Sequence, residues 1–102
     1  MNNLTIVISR LDEKSFSMAI QLAEKCFTPD IVLMSEAVYM LREQGGYSED
    51  INKAFNAGAR LYAISEDIKK RGIENSVNKV SLIDYSELVD LLLGEPRSTI
   101  NL

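Results

Sequence analysis

The chain has 102 residues, 46% of them apolar, 25% charged and 7% aromatic, with no histidine and no tryptophan. The single cysteine, Cys26, excludes an internal disulfide and a cysteine-built metal cage, and the lack of histidine excludes a Ser-His-Asp triad, a Cys-His dyad and a His-ligated metal. A net charge of -4 argues against a phosphate backbone as the main partner.

In chain order, Met1-Asn2-Asn3 lacks a basic leader, and the first apolar run, Leu4 to Ile8, is too short for a signal sequence or a membrane span. With one cysteine suited to a reducing compartment, the expectation is a cytoplasmic protein without a membrane segment. Leu4 to Ile8, Ile31 to Met34, Arg60 to Ile64 and Val80 to Ile83 read as strands. They are nearly continuous in Ile, Val and Leu, the pattern of strands covered on both faces. Glu13 to Phe27 is helical, with Phe16, Ala19, Ile20, Ala23 and Phe27 on one stripe. Glu36 to Gly58 holds two helices broken at Gly45-Gly46, the second capped by Ser48.

After the third strand, Ser65 caps a short helix from Glu66 to Arg71 that Gly72 ends. After the fourth, Asp84 and Glu87 have the spacing of a capping box, opening a helix that runs to Gly94 with Pro96 beyond. Ser98 to Leu102 supplies a short edge strand. Strands alternating with helices imply parallel pairing through right-handed crossovers. The expected fold is therefore α/β: a single domain over residues 1–102, a three-layer α/β/α sandwich around a mainly parallel sheet of four or five strands. Such a chain buries roughly 65% of its unfolded surface, enough to fold without staples.

Ligands of open parallel sheets bind beyond the carboxyl ends of the strands. That rim is Ser9-Arg10-Leu11-Asp12, Ser35-Glu36, Ser65-Glu66-Asp67 and Asp84-Tyr85-Ser86-Glu87. Glu36, Asp67 and Asp84 would serve a cation site or an acid/base pair. Helix first turns favour acids in any case, and capping accounts for nearly all of them. Gly45-Gly46 follows a helical stretch with no lysine after it, which makes it a linker rather than a phosphate cradle. Cys26, in the last turn of the first helix, sits where the dipole disfavours a thiolate, so it reads as structural and is only a weak catalytic candidate. Lys69-Lys70-Arg71 complements a helix C-terminus. Tyr39, Tyr47 and Tyr85 suit protein interfaces, and Tyr62, within a strand, suits a core.

Leu61 to Ile73 (LYAISEDIKKRGI) followed by Val80 to Leu92 (VSLIDYSELVDLL) resembles the DsrH/TusB family, with its aliphatic-Tyr-Ala strand, acidic turn, Arg-Gly, and strand ending in Asp-Tyr. Ile31 to Leu41 (IVLMSEAVYML) is similar to the family's second strand and following helix. The resemblance covers the C-terminal two thirds of the chain and implies a small DsrE/DsrF/DsrH-type α/β subunit. Such subunits join paralogues in a hetero-hexameric sulfur-relay complex, serving tRNA wobble-uridine 2-thiolation or intracellular sulfur oxidation. Glu36, Tyr39, Tyr62, Asp67, Arg71, Gly72, Asp84 and Tyr85 become motif and interface candidates. The family's sulfur-carrying cysteine usually belongs to the DsrE/TusD-type subunit, and Cys26 matches no family cysteine. Ala37 stands where the family usually has glycine.

The resemblance therefore implies a structural subunit of a sulfurtransferase complex more than a catalyst by itself. It would have no cofactor and no metal, DsrE/TusD-like and DsrF/TusC-like partners, self-association when alone, and at most indirect contact with nucleic acid. Two other readings stay open from the residues: a persulfide carrier using Cys26, and a small-ligand or metal-binding module using the acidic rim.

Overall fold

A computed structural model describes residues 4–25, 29–42, 46–73, 79–93 and 98–102. Strands β1 (Leu4–Ile8), β2 (Asp30–Leu33), β3 (Arg60–Ile64), β4 (Ser81–Ile83) and β5 (Ser98–Asn101) form one sheet in the order β4-β3-β2-β1-β5. All four pairings are parallel, with Asp30 opposite Thr5 and Arg60, and Tyr62 opposite Ser81. The tail strand expected at Ser98 takes the edge beside β1, and Leu102 N–H extends the pairing to Val7 O at 2.8 Å.

From β1 to β4 the chain steps steadily in one direction across the sheet. The connecting elements α1 (Glu13–Ala23), a 3-10 helix (Ser35–Leu41), α2 (Ser48–Asn56) and α3 (Ser65–Lys70) contribute Phe16, Val38, Ile51 and Ile68 to one core with Ile6, Ile31 and Leu61. The last step reverses direction and spans the whole sheet. A right-handed crossover then requires the opposite face, and α4 (Tyr85–Leu93) indeed places Leu88 on Val7, Val32, Ile64 and Ile83. The result is the expected three-layer sandwich, with unequal outer layers.

Local chemistry sets the element ends. Asp12 caps α1, accepting from Lys14 N–H at 3.1 Å and from the Ser15 hydroxyl at 3.1 Å. The helix ends at Ala23, short of the expected Phe27. The stretch Ser35–Leu41 is 3-10 rather than α-helical, and at three residues per turn it stacks Ala37 over Met40 and Val38 over Leu41, all four buried. Two expected caps are not made. α2 begins at Ser48 with Tyr47 as its cap residue, the tyrosine being packed against the core, and α3 begins at Ser65 itself. The Ser65 hydroxyl donates instead to Glu66 at 3.3 Å.

The Asp84–Glu87 capping box is present in both directions. Glu87 N–H donates to Asp84 at 2.7 Å and Asp84 N–H to Glu87 at 3.1 Å. Gly72 ends α3 at φ 62°, with its N–H on Lys69 O and that of Ile73 on Ile68 O, the paired bonds of a Schellman turn. The expected helix stop at Gly94 and Pro96, the Gly45 half of the linker and Cys26 all lie outside the described residues.

Candidate functional site

At the carboxyl ends of β3 and β4 the chain parts, α3 turning onto one face of the sheet and α4 onto the other. Open α/β sheets place their crevices at such divergences. Here it is closed by a polar cluster centred on Asp67. That carboxylate is 6% exposed and sits in the first turn of α3. Its Oδ2 accepts the Ser35 N–H at 2.8 Å from the turn after β2. The Tyr85 hydroxyl, from the start of α4, lies 2.9 Å from Oδ1 and 2.8 Å from Oδ2. Arg71, one turn along α3, adds an ion pair at 3.6 Å, beyond direct hydrogen-bond range.

Ser35 meets Asp67 with a left-handed backbone, φ 51°. A non-glycine residue held there stores strain, which the Asp67 bond helps to offset. Glu66 closes the other side of the cluster, its Oε2 accepting Tyr85 N–H at 3.3 Å. The Tyr85 phenol has its pKa raised above the usual 10.0. The hydrogen bond to Asp67 is the main cause, with burial and the charges of Asp67 and Glu66 adding to it and Arg71 opposing it.

A second group of side chains adjoins this cluster. The half-buried Tyr39 ring has the Arg42 guanidinium 4.7 Å and the Arg71 guanidinium 5.8 Å from its centre. Arg42 Nε also donates to Tyr39 O at 3.3 Å.

The structure thus brings together Tyr39, Asp67, Arg71 and Tyr85 from the candidates. Asp84 lies beside them but is committed to its capping box. Glu36 is exposed, Tyr62 is half-buried against the second core, and Gly72 is a turn residue. The three rim acids do not converge, and among the described residues no group of three or more Asp, Glu, Cys or His is placed to hold a metal ion. Ser35 was legible only as part of the rim, since a backbone N–H leaves no side-chain signal. Arg42 carried no signal beyond its spacing of three from Tyr39. Among the described residues the cluster contains hydrogen-bond donors and acceptors already turned on one another, and these bonds tie the turn after β2 and the starts of α3 and α4 together.

A second polar pair lies at the amino ends of β2 and β3. Asp30, fully buried, receives Arg60 Nε at 2.7 Å and Nη2 at 3.1 Å in a bidentate contact. Among the described residues, no helix is long and apolar enough to cross a membrane.

Residues 8–97 match the family described as DsrH-like protein. Protein TusB of Photorhabdus laumondii subsp. laumondii is 36% identical over 63 residues, which are 61% of this chain and 63% of that protein. The chain thus spans somewhat less than two thirds of the curated relative it matches. The fold is similar to a protein of unknown function from Methanobacterium thermoautotrophicum, with a TM-score of 0.83, 18% identity and full coverage of both chains. It is also similar to the ychN protein from E. coli, with a TM-score of 0.80, 21% identity and full coverage of both chains. A protein from Bacteroides thetaiotaomicron gives a TM-score of 0.82 at 13% identity, covering 99% of this chain and 95% of the other.

Proposed function

From the premise that the chain belongs to the DsrH-like family, which it matches over residues 8–97, we propose that it is a non-catalytic subunit of a sulfur-relay complex. The family match carries this reading, and the 36% identity to a TusB protein agrees with it. The sister chains would be DsrE/TusD-like and DsrF/TusC-like proteins, and the pathway tRNA wobble-uridine 2-thiolation or intracellular sulfur oxidation. Persulfide relay needs an accessible thiolate of suitable pKa. The mouth at the carboxyl ends of β3 and β4 holds Asp67, Tyr85, Glu66 and Arg71, tied to one another. On this reading the chain's part is to dock and shape the complex, in a cytoplasmic setting, while a sister subunit carries sulfur.

Co-expression of the tagged chain with the DsrE/TusD-like and DsrF/TusC-like proteins of its own organism tests this. A stable complex whose persulfide transfer survives Cys26→Ser is the expected result. Failure to co-purify would end the subunit reading. Loss of transfer in Cys26→Ser, with the complex intact, would make this chain a carrier.

A further inference from the structure

Helix α4 uses one side for the fold and leaves a second apolar side open, save for the Tyr85 hydroxyl, which is bonded to Asp67. Leu88 is buried, and Leu91 and Leu92 are half-buried over the second core. Tyr85, Val89 and Leu93, spaced by four, form a separate stripe and are 39%, 51% and 80% exposed. At 100° per residue this stripe borders Leu92 on one side and the polar run of Ser86, Asp90 and Glu87 on the other. A burial requirement of the domain does not explain it, because Leu88, Leu91 and Leu92 already meet that requirement.

The charges on α4 and its entry have one sign, with Arg71 the cation near its Tyr85 end. Residues 81–93 include Asp84, Glu87 and Asp90 and no Lys or Arg, and all three carboxylates are exposed. Glu66 adds another at the start of the helix, bonded to Tyr85 N–H. A two-fold contact between copies through this stripe would bring both sets of carboxylates into one interface with no cation from either α4. Like charges there cost affinity, whereas a partner with Lys or Arg beside its own apolar ridge gains it.

We propose that the Tyr85–Val89–Leu93 face of α4 is a docking surface for a partner chain presenting an apolar ridge bordered by Lys or Arg. Only the identification of that partner as a sister subunit rests on the sulfur-relay reading. The surface chemistry stands on the stripe and its acidic border.

Two synthetic amphipathic helical peptides are suitable probes, one with a Leu ridge bordered by Lys and one with the same ridge bordered by Glu. Added to the isotope-labelled full chain, the Lys-bordered peptide should shift the amide resonances of α4 around Tyr85, Val89 and Leu93. The Glu-bordered peptide should leave them in place. Val89→Ser with Leu93→Ser should weaken the Lys-bordered peptide by on the order of tenfold or more. Asp90→Lys should weaken it as well while leaving the apolar stripe and the Asp84–Glu87 capping box whole. Val89, Leu93 and Asp90 are all exposed, so thermal unfolding should stay close to that of the parent chain.

Shifts centred elsewhere, or equal binding by both peptides, would overturn the proposal. So would a dimer of the chain alone that dissociates in the Val89→Ser, Leu93→Ser variant, since a second copy would then be the occupant. In co-expression, a sister complex that forms with the parent chain and withstands Val89→Ser with Leu93→Ser refutes a sister subunit as the occupant of this surface and leaves the subunit reading standing. If the parent chain forms no sister complex, the subunit reading fails, and the peptide titration still decides the surface.

Discussion

The Tyr85 hydroxyl lies within 2.9 Å of both carboxylate oxygens of Asp67, although the two residues belong to helices on opposite faces of the sheet. One phenol has one proton, so the two contacts are a single donation shared or alternating between Oδ1 and Oδ2. The bond ties α3 to α4 where the backbone separates them.

Removing the two partners should have unequal effects. Tyr85→Phe deletes one charge-assisted bond at a site open to solvent, and should cost about 1 kcal/mol. Asp67→Ala also strips the Ser35 N–H and Arg71 of their partner, and should cost about 2–3 kcal/mol. In urea unfolding of both single variants and the double variant, the double variant should lose less than the sum of the two single losses. Additive losses would show that Tyr85 and Asp67 are merely adjacent.

The same bond makes a pH prediction. The folded Tyr85 keeps its proton to a higher pH than the usual 10.0, so the unfolded chain loses that proton first. The stabilisation is fully present below pH 10 and is lost as pH rises through the elevated folded value. Tyrosinate absorbance should show a late-titrating component that Tyr85→Phe removes. Asp67→Asn should move it back toward the ordinary tyrosine range. A Tyr85 component titrating at or below pH 10 would contradict the described bond.

Much of this architecture was legible because buried parallel strands announce themselves as apolar runs. β1 and β3 have the boundaries the pattern predicts, and the Asp84–Glu87 spacing specifies its capping box. Where tertiary contacts decide, local patterns mislead. Ser48 and Ser65 look like caps, yet packing of Tyr47 and the end of β3 start both helices a residue away from expectation. Asp30 reads as a loop residue before Ile31, but it is the first residue of β2, buried and matched in register by Arg60. Asp67 and Tyr85 were visible as a rim acid and a surface tyrosine. Their bond was not, since it depends on the point where two helices leave opposite faces of one sheet.

The Asp30–Arg60 pair is asymmetric in exposure, with the carboxylate side chain at 0% and the guanidinium side chain at 55%. Arg60→Met keeps the apolar stem but leaves a buried carboxylate without its bidentate partner, and should cost about 2–3 kcal/mol. Asp30→Asn keeps the shape and leaves an arginine already in contact with water, so about 1 kcal/mol is expected. The order of the two urea midpoints is the measurement. If Asp30→Asn is the more damaging, the arginine depends on the carboxylate rather than the reverse.

Two turns with left-handed backbones should respond oppositely to substitution. Ser35 holds φ 51° with a side chain attached, and its contribution to the Asp67 cluster is a backbone N–H that glycine also possesses. Ser35→Gly should therefore keep the bond and relieve strain, with a net effect between neutral and about 1 kcal/mol stabilising. Gly72, at φ 62°, has no neighbouring atom within 4 Å of the point where a Cβ would sit, so Gly72→Ala tests backbone strain without a steric clash. It should cost about 1 kcal/mol. Thermal unfolding of the two variants checks both signs. Destabilisation by Ser35→Gly would mean that the serine side chain, rather than the turn it occupies, holds the loop against Asp67.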